Sequence, residues 1–131
     1  MSHTFTCRVY YEDTDLAGIV YYANYLKFIE RARTEFVRAI GIDQAELKEN
    51  QGIVFAVRRV EADYLTPARF DDMLTVTTTV TGLTAARIHL QQTVARAETL
   101  IFDANVTLVA LTGAGKPARL PATIRHALDI A

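Results

Sequence analysis

The chain of 131 residues contains one serine, one cysteine, three prolines, three histidines and no tryptophan. Each scarcity removes a class of chemistry. Ser2 lies at the start of the chain and Cys7 inside a strand-like stretch. Neither offers the rigidly held nucleophile beside a base that Ser-His-Asp or Cys-His catalysis requires. His3, His89 and His126 share no spacing that would gather two of them on one helix face or turn. With a lone cysteine, a tetrahedral zinc site is short of ligands, so neither metal nor cofactor is expected. An excess of charge of one sign is also lacking. Fourteen Lys and Arg stand against fifteen Asp and Glu, for a net charge of -1, which removes the basic footprint of a nucleic-acid binder. The longest uncharged run, 73–86, has 14 residues with six threonines, against the roughly 18 to 20 apolar residues of a membrane-spanning helix. No basic segment followed by an apolar run opens the chain, so no secretory signal is read and a cytoplasmic address is expected.

What remains is an ordinary globular composition, 50% hydrophobic and 22% charged. The length predicts one domain over 1–131. A chain of this size buries roughly two-thirds of the surface exposed by its unfolded form, enough for a core without staples.

Phe5, Cys7 and Val9 alternate with Thr6, Arg8 and Tyr10, the period of a short strand. An acidic knot, Glu12-Asp13-Thr14-Asp15, follows, then a mostly apolar link through Gly18 to Ala23. Asn24 stands at an N-cap position. Beyond it Tyr25, Phe28, Ile29, Ala32, Phe36 and Ile40 recur at steps of three and four, predicting an amphipathic helix stopped by Gly41. A short polar helix is expected over 43–49. Strands are expected over 53–64, through 74–80 and 88–94, and over 100–111, whose two apolar faces suit a central position or an oligomer contact on the second face. A terminal helix is expected over 122–130. One long helix and strands joined by short turns define an α+β fold with an antiparallel sheet. Because a single helix leaves sheet edges uncovered, homo-oligomerisation is the expected remedy.

Segment 13–24 carries the sharpest chemical signal. Read as a calcium loop, it has Asp13, Asp15 and Gly18 at the first, third and sixth positions, but Ala17 and Asn24 at the fifth and twelfth offer no carboxylate. Two readings stay open. Asp13 and Asp15 can simply complement the dipole of the following helix, worth about 0.3–1 kcal/mol each. Alternatively, a carboxylate beside apolar surface and the unpaired amides of a helix start can serve a polarised carbonyl. A thioester suits such a site, since its carbonyl has little resonance stabilisation and its thiolate leaves without a strong acid. The glycines before Lys116 do not make a phosphate loop, because Ala110 stands where that motif needs glycine.

The run Tyr11-Glu12-Asp13-Thr14-Asp15-Leu16-Ala17-Gly18-Ile19-Val20-Tyr21-Tyr22-Ala23-Asn24-Tyr25, with Phe28 to Glu35 and the later Tyr64-Leu65-Thr66-Pro67-Ala68-Arg69-Phe70-Asp71-Asp72-Met73-Leu74, resembles the 4-hydroxybenzoyl-CoA thioesterase family of hotdog-fold proteins. Within that family it is most similar to the YbgC type, acyl-CoA thioesterases associated with the Tol-Pal system of Gram-negative bacteria. The resemblance implies a long central helix wrapped by an antiparallel sheet of about five strands. It also implies homodimers joined sheet edge to sheet edge, often paired into homotetramers, with active sites between subunits. By position, Asp15 is the catalytic carboxylate, the Tyr22 backbone amide polarises the carbonyl, and Gly18 allows close approach of the chain.

The sequence departs from the resemblance twice. Tyr22 stands where many YbgC-type members have histidine, and the hairpin at 82–87, basic in the 4-hydroxybenzoyl-CoA enzymes, keeps only Arg87. Arg58, Arg59, Lys116 and Arg119 are further candidates for the CoA phosphates. The expected activity is hydrolysis of acyl-CoA to free acid and CoA. The competing expectation is a catalytically slow module that binds acyl-CoA or acyl carrier protein. A hydratase of this fold normally uses histidine with a carboxylate, and segment 15–24 has none.

Overall fold

The computed structural model describes residues 2–131. In chain order the elements are β1 (Ser2–Arg8), a single 3-10 turn at Tyr11–Asp13, α1 (Asn24–Ala39), α2 (Gln44–Gln51), β2 (Ile53–Tyr64), β3 (Met73–Leu83), β4 (Arg87–Arg96), β5 (Thr99–Thr112) and α3 (Ala122–Asp129). The five strands form one sheet in the order β1-β3-β4-β5-β2, and every pairing is antiparallel. The long helix α1 lies on one face, the arrangement expected of a helix wrapped by a sheet. None of the helices among the described residues is long and apolar enough to cross a membrane.

Period-two alternation sorts the strands into two faces. Leu74 and Val76 of β3, Ile88, Leu90 and Val94 of β4, and Phe102, Ala104, Val106 and Leu108 of β5 are buried on the helix side. Phe28, Ile29, Ala32 and Phe36 of α1 complete that core. The opposite face carries Thr75, Thr77, Thr93 and Gln91. Strand β5 lies between β4 and β2, as its two apolar faces suggested.

Two details of the helices depart from expectation. Asn24 is the first residue of α1 rather than its N-cap; Ala23 holds that position, without a side-chain cap. The Asn24 amide instead donates to the Asp13 carbonyl at 3.0 Å. Helix α2 behaves more simply: Asp43 accepts from the Glu46 N–H as N-cap, and Gly52 closes it with φ +66°, a conformation that glycine adopts without a Cβ penalty.

The outer edge of β2 is unpaired among the described residues. Its helix-facing residues Val57, Val60 and Tyr64 lie in the partly open margin beside α1, with Val57 48% and Tyr64 49% exposed. A bulge interrupts the β2–β5 register between Val57 and Arg59.

Candidate active site

Segment 13–21 folds back on itself as a tight hairpin that precedes α1. The Asp15 N–H donates to the Ile19 carbonyl at 3.0 Å, the Gly18 N–H to the Asp15 carbonyl at 2.9 Å, and the Tyr21 N–H to the Asp13 carbonyl at 2.8 Å. A third chain segment clamps the hairpin, since the Val20 N–H donates to the Ala68 carbonyl at 2.8 Å. Gly18 has φ +80° with nothing within 4 Å of an added Cβ. The glycine is therefore required by the backbone turn, and among the described residues none outside its chain neighbours approaches it closely.

The geometry separates the two aspartates that the sequence left together. Asp13 is buried, and its Oδ2 accepts from the Tyr10 N–H at 2.8 Å. Its carboxylate is spent on the backbone. Asp15 sits exposed at the hairpin tip; its Oδ1 accepts from the Ala17 N–H at 2.9 Å, and among the described residues Oδ2 has no hydrogen-bond partner. Beside it Leu16 is fully exposed, an unusual place for a leucine.

At the base of the hairpin the chain enters α1. Because no side chain caps this helix and Asn24 is turned away, the N–H groups of Tyr22 and Ala23 have no acceptor among the described residues. Such amides are hydrogen-bond donors biased toward developing negative charge. The Tyr22 carbonyl, in contrast, is engaged by the Tyr64 hydroxyl at 3.0 Å. Aromatic rings build the adjoining wall: Tyr25 stacks on Phe102 at 5.0 Å and 8°, and Tyr64 meets Phe102 edge-on at 5.0 Å. Burial pushes the phenols of Tyr25 and Tyr64 up from their ordinary values, so both stay protonated near neutrality. A cavity of about 270 Å³, open to solvent, is lined by Ile19, Val20, Tyr22, Tyr25, Tyr64 and Pro67, among others. Asp15 is not on its wall. A larger hollow of about 740 Å³ lies near the far end of α1, around Arg38, Gly41 and Asp43, but it gathers no reactive groups.

The basic candidates fall elsewhere. Arg58 and Arg59 lie on β2, and Arg59 pairs with Glu61 at 3.1 Å. Arg87 begins β4. Lys116 and Arg119 come next to it, because the Leu120 N–H donates to the Ala85 carbonyl at 2.8 Å and Leu111 bridges Pro117. No Asp or Glu occurs between Asp103 and Asp129. This basic end and the Tyr22 end lie toward opposite ends of the sheet: Tyr64 is opposite Phe102 and Phe102 opposite Val94, which puts the site about 23 Å along β4 from Arg87 at ~3.3 Å per residue. Burial raises the pKa of Cys7, which disfavours the thiolate. Among the described residues no three His, Cys, Asp or Glu gather as metal ligands.

Sequence reasoning passed over two features. Tyr64 entered only as part of the second motif, yet its phase on β2, opposite Phe102, marks it for the helix side. The second is Asp72, whose Oδ2 accepts from Arg96 at 2.7 Å and from the Arg69 N–H at 2.8 Å, pinning the loop that clamps the hairpin.

The comparisons with known proteins agree with this architecture. The family model of the thioesterase-like superfamily matches residues 9–128, and the chain belongs to that superfamily, with its hotdog fold. Its relatives within the superfamily include the YbgC proteins. It is 39% identical over 125 residues to the acyl-CoA thioesterase YbgC of Haemophilus influenzae, covering 95% of this chain and 92% of that one. It is 41% identical over 119 residues to the acyl-CoA thioester hydrolase YbgC of Escherichia coli O157:H7, covering 89% and 88%. Among solved structures, a probable thioesterase from Bartonella henselae superposes with a TM-score of 0.89 at 38% identity, covering 92% of this chain and all of the other. A 4-hydroxybenzoyl-CoA thioesterase mutant complexed with 4-hydroxybenzoyl-CoA shares the fold, with a TM-score of 0.92 at 23% identity over 97% and 98% of the two chains.

The geometry gives three stability predictions. Asp13→Ala removes the acceptor for a backbone N–H and is expected to lower unfolding free energy by about 1–2 kcal/mol. Asp15→Asn, which keeps an acceptor for Ala17, is expected to melt like the parent; thermal unfolding distinguishes them. Desolvation acts to raise the pKa of Asp72, but the Arg69 N–H and Arg96 together outweigh it and hold the carboxyl below its ordinary value. The stability it contributes is complete above the unfolded pKa and lost as pH falls through the folded one. Asp72→Asn should therefore flatten that part of the acid limb in denaturation measured against pH.

Proposed function

We propose that the chain is an acyl-CoA thioester hydrolase that releases free carboxylic acid and CoA, with Asp15 as base or nucleophile. The observation that carries this reading is the pair of unpartnered amides at the uncapped start of α1, next to an apolar cavity and on the same hairpin as an open carboxylate. The Tyr22 N–H donates to the thioester carbonyl oxygen, a bond that strengthens as the oxygen becomes anionic. Asp15 either attacks the carbonyl carbon or takes a proton from the attacking water. The carbon–sulfur bond breaks, CoA leaves as thiolate, and water completes the acid. The names of the YbgC relatives support the substrate class.

The working unit in this reading is a homodimer, or a homotetramer built from such dimers, in the cytoplasm. The unpaired edge of β2 is a liability for a lone copy, and an antiparallel copy joined there completes it. A two-fold copy also brings its Ile53 end beside this chain's Tyr64 end. The partner's basic end, with Arg87, Lys116 and Arg119, then approaches the cavity at Tyr22 and serves the CoA phosphates. Arg58 and Arg59 lie at the seam itself. Gly18 lets the tip turn toward the copy, and the exposed Leu16 beside it gains cover. The position of Asp15 off the wall of the single-chain cavity favours a second reading, a slow module that binds acyl-CoA or acyl carrier protein.

Thiol release from a panel of acyl-CoAs of varied length and branching separates the two. Hydrolysis is expected, and Asp15→Asn should reduce kcat by roughly 10²–10⁴ while the protein stays folded. Measurable binding with negligible turnover across the panel would establish the module instead. Val60→Arg, which places a charge among the apolar helix-facing side chains of the edge strand β2, is expected to shift sedimentation toward the single chain and to abolish turnover; an unchanged assembly would refute the edge-to-edge dimer.

A further inference from the structure

A polar seam crosses the apolar core beneath α1. Thr78 of β3 and Gln92 of β4 are both fully buried and directly opposite each other in the register. The Gln92 Nε2 donates to the Thr78 Oγ1 at 2.9 Å and to the Ile29 carbonyl of α1, also at 2.9 Å. Its Oε1 accepts from the Arg33 guanidinium at 2.9 Å. The side chain thus uses both of its donors and its acceptor. Its orientation is dictated rather than free: a guanidinium has no acceptor, so the atom facing Arg33 must be oxygen, and the nitrogen must face Ile29.

The Ile29 carbonyl sits in the middle of α1, seven residues beyond Tyr22. Phe28, Ile29, Ala32 and Phe36 dock the helix by non-directional contact, which favours burial without choosing one axial position sharply. A hydrogen bond from a central strand to a helix carbonyl does choose one, because its strength falls steeply with distance and angle. Stability alone does not account for the seam. Apolar residues of similar volume in place of a buried polar cluster are often neutral or stabilising. Arg33 is partly buried, pairs with no carboxylate among the described residues, and burial lowers its pKa against the smaller opposing pull of Glu30.

We infer that Gln92, oriented by Arg33, is a positioning residue that sets the axial rest position of α1 and with it the place of the Tyr22 and Ala23 amides. The inference rests on the proposed thioesterase reading for its consequence in turnover, but not for its geometry. Bond-scale precision is what an oxyanion donor requires, and a misplacement of about 1 Å can lower rates by ~100-fold.

The test is Gln92→Met, which keeps the volume and removes the directional bonds, measured by steady-state kinetics and by the backbone amide NMR signals of Tyr22 and Ala23. The expected result is a folded protein of unchanged assembly, a kcat lower by tenfold or more, a KM within threefold, and displaced Tyr22 and Ala23 signals. A purely structural role would lower the melting temperature and leave kcat and those signals where they were. That outcome overturns the proposal. If Gln92→Met does not fold, Arg33→Met is read the same way, since it frees the amide to rotate and is expected to cause a smaller loss of kcat with the same displacement. A parent protein without turnover would remove the thioesterase reading, and the two amide signals would still decide the positioning claim by moving or staying.

Discussion

The contact of Phe28, Ile29, Ala32 and Phe36 with the helix side of β3 and β4 is the constraint on which the molecule turns. One helix has to bury the inner face of a five-stranded sheet, and once it is laid there its two ends have fixed addresses. The N-terminal end falls at the margin where the hairpin and the loop at 65–72 converge. Here the usual means of finishing a helix is withheld. Ala23 supplies no cap, Asn24 bonds to the hairpin, and two amides remain unpartnered. Other polar groups of the fold are satisfied within it: Asp13 on Tyr10, Asp43 on Glu46, and Gln92 on three partners at once. The start of α3 also lacks a side-chain cap; what sets the open pair of α1 apart is its place beside the cavity lined by Tyr22, Tyr25 and Tyr64.

Much of the fold was legible because its signals are local. The β-branched and aromatic run at 53–64 coincides with β2, and the three-and-four spacing from Tyr25 to Phe36 gave the buried stripe of α1. Gly41 and Gly52 stop their helices at positive φ, which the residue type alone suggests. The failures share a cause. Asn24 reads as a cap until the Asp13 carbonyl competes for its amide, and that carbonyl is placed by the hairpin's closure. Asp13 and Asp15 look alike in sequence; only burial separates the one held on the backbone from the one left open. The cavity was illegible for a related reason, since Tyr64 and Tyr22 are 42 residues apart and only the sheet register brings them together.

The basic residues show the limit of reading a chain singly. Arg87, Lys116 and Arg119 share one end of the sheet and the uncapped helix start occupies the other. A protein of this size does not span that gap with one pocket. The proposed two-fold copy resolves the geometry without asking any element to move.

The hairpin before α1 is shaped almost wholly by main-chain bonds: Asp15 to Ile19, Tyr21 to Asp13, Val20 to Ala68. Apart from the turn at Gly18, its form makes few demands on the side chains at 16, 17 and 19. The scaffold therefore separates two kinds of heredity. The geometry that holds a carboxylate and an amide is written in the backbone, while the residues around the tip are free to change with whatever they come to face.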